Sequence, residues 1–186
     1  MKRILDIIIA IILGVVVFFP SIFVSIFIKI SSPGGVFYFS ERVGRHGKLF
    51  MMPKFRTMRI DAPEVATDEL VDPNQYITPI GIFLRKSSFD EIPQIFLVLI
   101  GKMSFVGPRP ALVRQKKLNG MRAAMGVDKL LPGITGWAQV NGRDTLNDKQ
   151  KADFDFEYLC RKSVIFDIWI MFITVKYVIQ RKSVRF

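Results

Sequence analysis

Cysteine and histidine are nearly missing from this chain. Cys160 stands alone, so no intramolecular disulfide and no cysteine metal cluster can form, and a reducing, cytoplasm-facing setting fits. His46 is the sole histidine, placed between Arg45 and Gly47 where a turn is expected, and no serine or cysteine constellation resembles a catalytic triad. Phosphate-cradling glycine loops are missing too. Neither G-x-x-x-x-G-K-[ST] nor G-x-G-x-x-G occurs, which argues against a P-loop or Rossmann nucleotide site. Acidic residues are scarce, 16 against 27 Lys plus Arg, and the net charge of +11 favours partners that carry phosphate or anionic headgroups. Nucleic acid is one such polyanion. The chain nevertheless has no zinc spacing, recognisable nucleic-acid module or long basic tail, so nucleic acid is not the expected partner.

What the chain does have is apolar surface. Half of its 186 residues are hydrophobic and the mean hydropathy is +0.30, although 23% of residues are charged. That mixture predicts one globular unit with a membrane-embedded piece. Residues 4–30 are almost wholly apolar apart from Asp6, Lys29 and a few serines. One straight helix of that length would extend roughly 40 Å, more than the ~30 Å of a hydrocarbon core. A signal peptide fits less well, because no small-residue cleavage site follows so long a run. Pro20 lies inside the run, lacks an N–H and crowds the carbonyl of Val16, so the helix should bend at Pro20 and Ser21. The two arms would then measure roughly 24 and 15 Å, and neither would cross alone. Lys2 and Arg3 precede the segment and Lys29, Arg42, Arg45 and Lys48 follow it, so a hairpin that dips in and returns puts these cations on one side. A spanning helix and a re-entrant helix both remain open on these grounds.

Downstream, an aromatic and β-branched run at 36–40, a glycine-bearing turn and a second apolar run at 49–52 predict a β-hairpin. Residues 61–74 are acidic and proline-bearing, as in a surface loop. Helices are expected over 93–100, 111–126 and 146–159, with a turn at Pro132-Gly133-Ile134-Thr135-Gly136. The apolar stretch 164–179, bracketed by Arg161, Lys162, Lys176, Arg181, Lys182 and Arg185, reads either as a helix in the membrane interface or as a buried core helix.

The richest chemistry lies in Ser87-Ser88-Phe89-Asp90-Glu91-Ile92-Pro93-Gln94. Ser88 and Glu91 have capping-box spacing and Pro93 is tolerated near a helix start, so Asp90 and Glu91 should occupy a first turn. They could be ordinary helix-start carboxylates stabilised by the helix dipole. Their surroundings favour a further role: Arg85 and Lys86 come just before, and Gly107-Pro108-Arg109-Pro110 forms a rigid turn able to hold a guanidinium against phosphate. Adjacent helical residues point about 100° apart, which suits two tasks: one carboxylate attacking phosphorus, the other holding Mg²⁺ together with substrate phosphates. An ionised aspartate needs no general base, so such a site tolerates the near lack of histidine. Lys54 and Arg56, at alternate positions near the hairpin, could join Arg109 and Arg143 around a nucleotide diphosphate.

Five stretches carry a family resemblance: Glu41-Arg42-Val43-Gly44, Lys54-Phe55-Arg56-Thr57-Met58, Asp90-Glu91-Ile92-Pro93-Gln94, Met103-Ser104-Phe105-Val106-Gly107-Pro108-Arg109-Pro110 and Pro132-Gly133-Ile134-Thr135-Gly136-Trp137-Ala138-Gln139-Val140-Asn141-Gly142-Arg143. Together, in this order, they resemble the bacterial sugar transferases, and more narrowly the small monotopic phosphoglycosyl transferases, over most of the chain from Lys2 to about Thr174. The resemblance implies a UDP-sugar donor, Asp90 as the nucleophile that takes the phosphosugar and releases UMP, and Glu91 as the Mg²⁺ ligand. It implies phosphate contacts from Arg109, a nucleotide site with contributions from Arg143, Pro132 and Gly133, and polyprenyl (undecaprenyl) phosphate as acceptor. It also implies a re-entrant N-terminal helix in the bacterial inner membrane, with catalysis at the cytoplasmic face. Departures from the family pattern are the order Pro20-Ser21 at the helix break, Phe89 in place of a usual Leu, Pro79, and Lys102 after Gly101.

The expected fold is therefore α+β and helix-rich: a re-entrant membrane helix-break-helix over 1–31, then a cytoplasmic catalytic domain over 32–186 with a small β-hairpin and amphipathic interfacial helices. The competing reading is a non-enzymatic monotopic anchor or assembly platform that uses its basic face to bind membrane lipids.

Overall fold

A computed structural model describes residues 1–63, 73–142 and 145–180. It begins with α1 (Lys2–Ser31), which is helical without interruption and retains Pro20 in its interior. The expected break at Pro20 and Ser21 does not divide the helix. A proline removes one i→i−4 bond and bends a helix more readily than it ends it, and here Ser21 Oγ donates to Val17 O and Ser25 Oγ to Ser21 O, both at 2.7 Å. By length and composition α1 could cross a membrane. Its middle is bare, with Ile11, Ile12, Val15, Val16, Phe18, Phe19 and Phe23 all exposed.

Both ends of α1, however, are fastened to the rest of the protein. At the start, Lys2 Nζ donates to Asp167 Oδ2 at 2.6 Å and to Val106 O at 3.1 Å. Arg3 donates to the carbonyls of Val98 and Leu99 at 2.6 and 2.9 Å, and the buried Asp6 accepts from Ser104 Oγ at 2.9 Å and Phe105 N at 3.2 Å. At the far end, Val24 and Ile28 pack with Phe55 and Leu84 in one apolar cluster.

The hairpin expected from the aromatic run is present. β1 (Phe37–Val43) pairs antiparallel with β2 (Leu49–Phe55), in register from Phe37 opposite Phe55 to Val43 opposite Leu49. His46 occupies the turn with φ 55°, a left-handed conformation uncommon outside glycine but enriched in Asn, Asp and His. α2 (Pro79–Ser87) was not expected from the periodicity. It starts where Thr78 Oγ1 accepts from Gly81 N at 3.0 Å and Pro79 takes the first turn, where a missing N–H costs nothing.

Ser88 then turns left-handed (φ 57°), a 3₁₀ turn follows over Phe89–Gln94, and α3 (Ile95–Leu99) is short. The capping box expected from Ser88 and Glu91 does not form: Ser88 ends α2, makes no side-chain cap, and the Glu91 carboxylate is drawn to cations elsewhere. The helix expected over 111–126 is confined to α4 (Lys116–Ala124). The Pro132–Gly136 segment is more than a turn, since β4 (Gly133–Thr135) pairs in parallel with β3 (Ser104–Val106). After α5 (Trp137–Val140), α6 (Asp148–Arg161) is closed by a reciprocal capping box between Asn147 and Gln150, and α7 (Val164–Ile179) has the expected bounds. The described fold is thus α+β and helix-rich, with a small hairpin. Most of the expected acidic loop, together with Arg181, Lys182 and Arg185, lies outside the described residues.

The main core joins Phe50 and Met52 of the hairpin to Val98, Met103, Phe105, Tyr158, Phe166 and Ile170, with Ala10 of α1 included. α7 has two apolar faces, one of them in the core. Phe166 and Ile170 are buried in this core, while Ile165, Ile168, Trp169, Phe172, Val175 and Ile179 are exposed at helical spacing.

Candidate active site

Strand alternation puts Lys54 on the same face of β2 as the buried Phe50 and Met52, which aims its amine at the 3₁₀ turn packed against that strand. Lys54 Nζ donates to Glu91 Oε1 at 2.8 Å and lies 3.5 Å from Asp90 Oδ2. Arg109 donates to the same Glu91 oxygen at 2.9 Å. Four sequence-predicted residues from three separate stretches thus meet in one cluster whose two carboxylates are largely buried, 13% and 12% exposed. Arg85, in the last turn of α2, joins its edge: its Nε donates to Thr57 Oγ1 at 2.9 Å and its charge acts on Asp90.

The two carboxylates are driven in opposite directions. Burial pushes the Asp90 carboxyl above its ordinary value of 3.8, and the neighbouring Glu91 charge adds to the rise, against the pull of Lys54, Arg109 and Arg85. Burial would raise Glu91 as well. There, Arg109 and Lys54 outweigh it through charge and hydrogen bonds and hold the carboxyl well below the usual glutamate range. Divergent tuning of adjacent acids is the pattern expected when each has its own task.

Arg109 is held by backbone geometry. Gly107 N donates to Thr135 O and Gly133 N to Pro108 O, each at 2.9 Å, so the Gly107–Pro108 turn is stitched to β4. The approach is close enough that a Cβ on Gly133 would lie 2.2 Å from Gly107 N, and one on Gly136 2.1 Å from Gly107 O. Pro132 and Gly133 therefore act on the site by supporting this turn. A third restraint has no signal in the local sequence: Arg122 NH1 donates to the Arg109 carbonyl at 2.9 Å, while its Nε and NH2 donate to the buried Asp155 at 2.8 and 2.6 Å. Burial raises the Asp155 carboxyl despite this partner. Arg42 was also missed as a site residue, although its motif was visible. It donates to Pro110 O, and burial together with the nearby Arg109 charge lowers its guanidinium to about 10.

Among the described residues, one predicted site cation is not brought into the cluster. Arg56 faces away, donating to Pro33 O at 2.6 Å and to Ser32 O at 2.9 Å, where it holds the segment that leaves α1. Arg143 lies outside the described residues. Beside the cluster is a cavity of about 250 Å³ whose wall includes Arg109, Asn119, Asp128 and Pro132. Among the described residues no group of three or more His, Cys, Asp or Glu side chains could hold a metal ion by itself.

The sequence family described as bacterial sugar transferase matches this chain over residues 1–181. Among curated proteins, the UDP-glucose:undecaprenyl-phosphate glucose-1-phosphate transferase of Escherichia coli K12 is 41% identical over 155 residues, covering 80% of this chain and 33% of that protein. The undecaprenyl-phosphate galactose phosphotransferase of Salmonella typhimurium is 39% identical over 172 residues, covering 82% and 35%. An uncharacterized sugar transferase of Bacillus subtilis, EpsL, is 37% identical over 158 residues, covering 85% and 76%. The chain spans about a third of the length of the first two relatives.

Proposed function

The chain belongs to the bacterial sugar transferase family, and from that premise we propose that it moves a sugar-1-phosphate from a UDP-sugar to polyprenyl (undecaprenyl) phosphate at the cytoplasmic face of the bacterial inner membrane. The observation that carries this reading is the meeting of Asp90 and Glu91 with Lys54 and Arg109 in one largely buried cluster.

In the first step an Asp90 carboxylate oxygen attacks the sugar-bearing phosphorus. An Oδ–P bond forms, the P–O bond to the nucleotide breaks, and its electron pair leaves on UMP. In the second step a polyprenyl phosphate oxygen attacks the same phosphorus and frees Asp90. Both nucleophiles are anions, so neither step requires a base, in keeping with the single histidine. Lys54, 3.5 Å from Asp90, favours the carboxylate form and faces the charge that develops on the phosphoryl oxygens. Arg109 and Arg85 supply further cationic contacts. The nucleotide end of the donor lies toward the cavity beside Arg109 and Pro132.

Glu91 fits a Mg²⁺ site of the kind that uses one carboxylate plus substrate phosphates and water. Lys54 and Arg109 both bind its Oε1, and Oε2 accepts no hydrogen bond among the described residues. A divalent cation there would neutralise diphosphate charge as UMP departs.

The docking of α1 supports a re-entrant course. Residues 11–23, between the two fastened ends, extend roughly 20 Å as a straight helix, less than the ~30 Å hydrocarbon core. A full crossing would tear one end from the body, whereas a bent helix dips in and returns with both sets of bonds intact. The exposed apolar face of α7 completes a monotopic membrane surface.

The test is Asp90→Asn, assayed with a panel of UDP-sugars and polyprenyl phosphate for UMP release. Release should fall by several orders of magnitude while membrane binding persists. Unchanged release would rule out the covalent step, and a wild type that binds membranes but releases no UMP from any donor would favour a non-enzymatic platform.

A further inference from the structure

A second cleft, of about 340 Å³, opens where the starts of α1 and α7 meet. Its lining includes neither Asp90 nor Glu91 and shares only Leu130 with the cavity beside Arg109. Four cations line it: Lys2, Arg45, Lys129 and Lys162. Lys2 is neutralised by Asp167, whose other oxygen accepts from Tyr158 at 2.7 Å. Arg45, Lys129 and Lys162 are exposed and make no ion pair or side-chain hydrogen bond among the described residues. Three unpaired charges of one sign around a concavity repel one another and concentrate a positive potential in it, the setting of a phosphate site.

The position of the cleft selects the kind of phosphate. The two helices that contribute Lys2, Val164 and Asp167 to it carry exposed apolar side chains, Ile4 and Ile8 on α1 and Ile165, Ile168 and Trp169 on α7. A bilayer that covers those side chains brings its headgroup layer to the cleft. We propose that this cleft holds the phosphodiester headgroup of an anionic bilayer lipid, separately from donor and acceptor. The proposal rests on the monotopic membrane reading above and not on the chemistry at Asp90.

The full chain would be reconstituted in nanodiscs of phosphatidylcholine with a minority of phosphatidylglycerol, released, and its retained lipids identified by native mass spectrometry. Wild type should keep phosphatidylglycerol in preference to phosphatidylcholine. Combining Arg45→Gln, Lys129→Gln and Lys162→Gln should reduce that retention about a hundredfold, at roughly fivefold per basic residue at an anionic surface. A charge-matched control, Lys116→Gln with Lys117→Gln and Lys149→Gln on the exposed faces of α4 and α6, should retain lipid as wild type does. Equal retention by the cleft variant, or equal loss by the control, overturns the proposal. Displacement of the lipid by millimolar inorganic phosphate overturns its assignment to a lipid headgroup. UMP release in pure phosphatidylcholine discs is a separate readout: a chain that loses lipid only in the cleft variant yet never releases UMP upholds the cleft and sinks the transfer reading.

Discussion

Replacing Lys54 by methionine removes one charge from the cluster while keeping an unbranched side chain of similar length. In the native arrangement the amine lies 2.8 Å from Glu91 Oε1 and 3.5 Å from Asp90 Oδ2. Unit charges at 3.5 Å attract by about 5 kcal/mol at an effective dielectric near 20. Lys54 is 19% exposed and Arg109 still serves Glu91, so solvent and the remaining partner should absorb about half of that. The residual ~2–3 kcal/mol corresponds to a loss of about a hundredfold in kcat/KM. The sign of the pH effect follows from the same geometry. Asp90 already sits above its ordinary value, and losing the cation that opposes the rise lifts it further, so less of the attacking carboxylate exists at a given pH. UMP release measured from about pH 5 to about pH 9 should show the acid limb of kcat/KM displaced upward, with circular dichroism confirming the fold. A variant within about threefold of wild type and with its acid limb unmoved would refute the role given to Lys54.

Gly133→Ala would force a Cβ to within 2.2 Å of Gly107 N, so the Arg109 turn must shift; activity should fall at least tenfold, with about 1–3 kcal/mol of stability lost. Asp155→Asn breaks a buried ion pair and loosens the Arg109 carbonyl, which should cost about 3 kcal/mol or more and lower the apparent Tm by several degrees. Glu91 titrates below its ordinary value of 4.5, so its contribution to stability is complete above that value and is lost as pH falls through the depressed one. Glu91→Gln should therefore be less stable near neutrality and show a shallower acid decline in urea unfolding. Single cysteines at Ile4 and Ile30, in a Cys160→Ser background, should react with an impermeant reagent from the same side of the bilayer; labelling from opposite sides would establish a crossing helix.

Where the hydrophobic period was long and unbroken, the fold could be read directly. α7 has its expected bounds, and the hairpin follows from the aromatic run and its glycine turn. α2 escaped because Pro79 and Gly81 look like loop residues, although Thr78 before Pro79 was a usable start signal. Ser88 misled because one residue serves two elements: its left-handed backbone ends α2 and leaves it unable to cap the turn that follows. β4 was hidden by its partner's distance, since nothing local in Gly133-Ile134-Thr135 announces a pairing with Ser104–Val106. The cluster itself was legible because Asp90, Glu91, Lys54 and Arg109 each lie in a distinctive motif. The second layer was not, because Arg122 finds Asp155 33 residues away on another helix. Arg56 shows the reverse error: it shares the Lys54 motif and strand parity, yet its guanidinium serves the exit of α1.

Whether Asp90 bonds to phosphorus can be read directly by incubating the full chain in nanodiscs with a UDP-sugar and no acceptor, then measuring the intact and peptide masses. One phosphosugar should be added per chain, located on the peptide that contains Asp90, absent from Asp90→Asn and discharged when polyprenyl phosphate is supplied. Steady UMP release with no mass added to that peptide would contradict a bond from Asp90 to phosphorus.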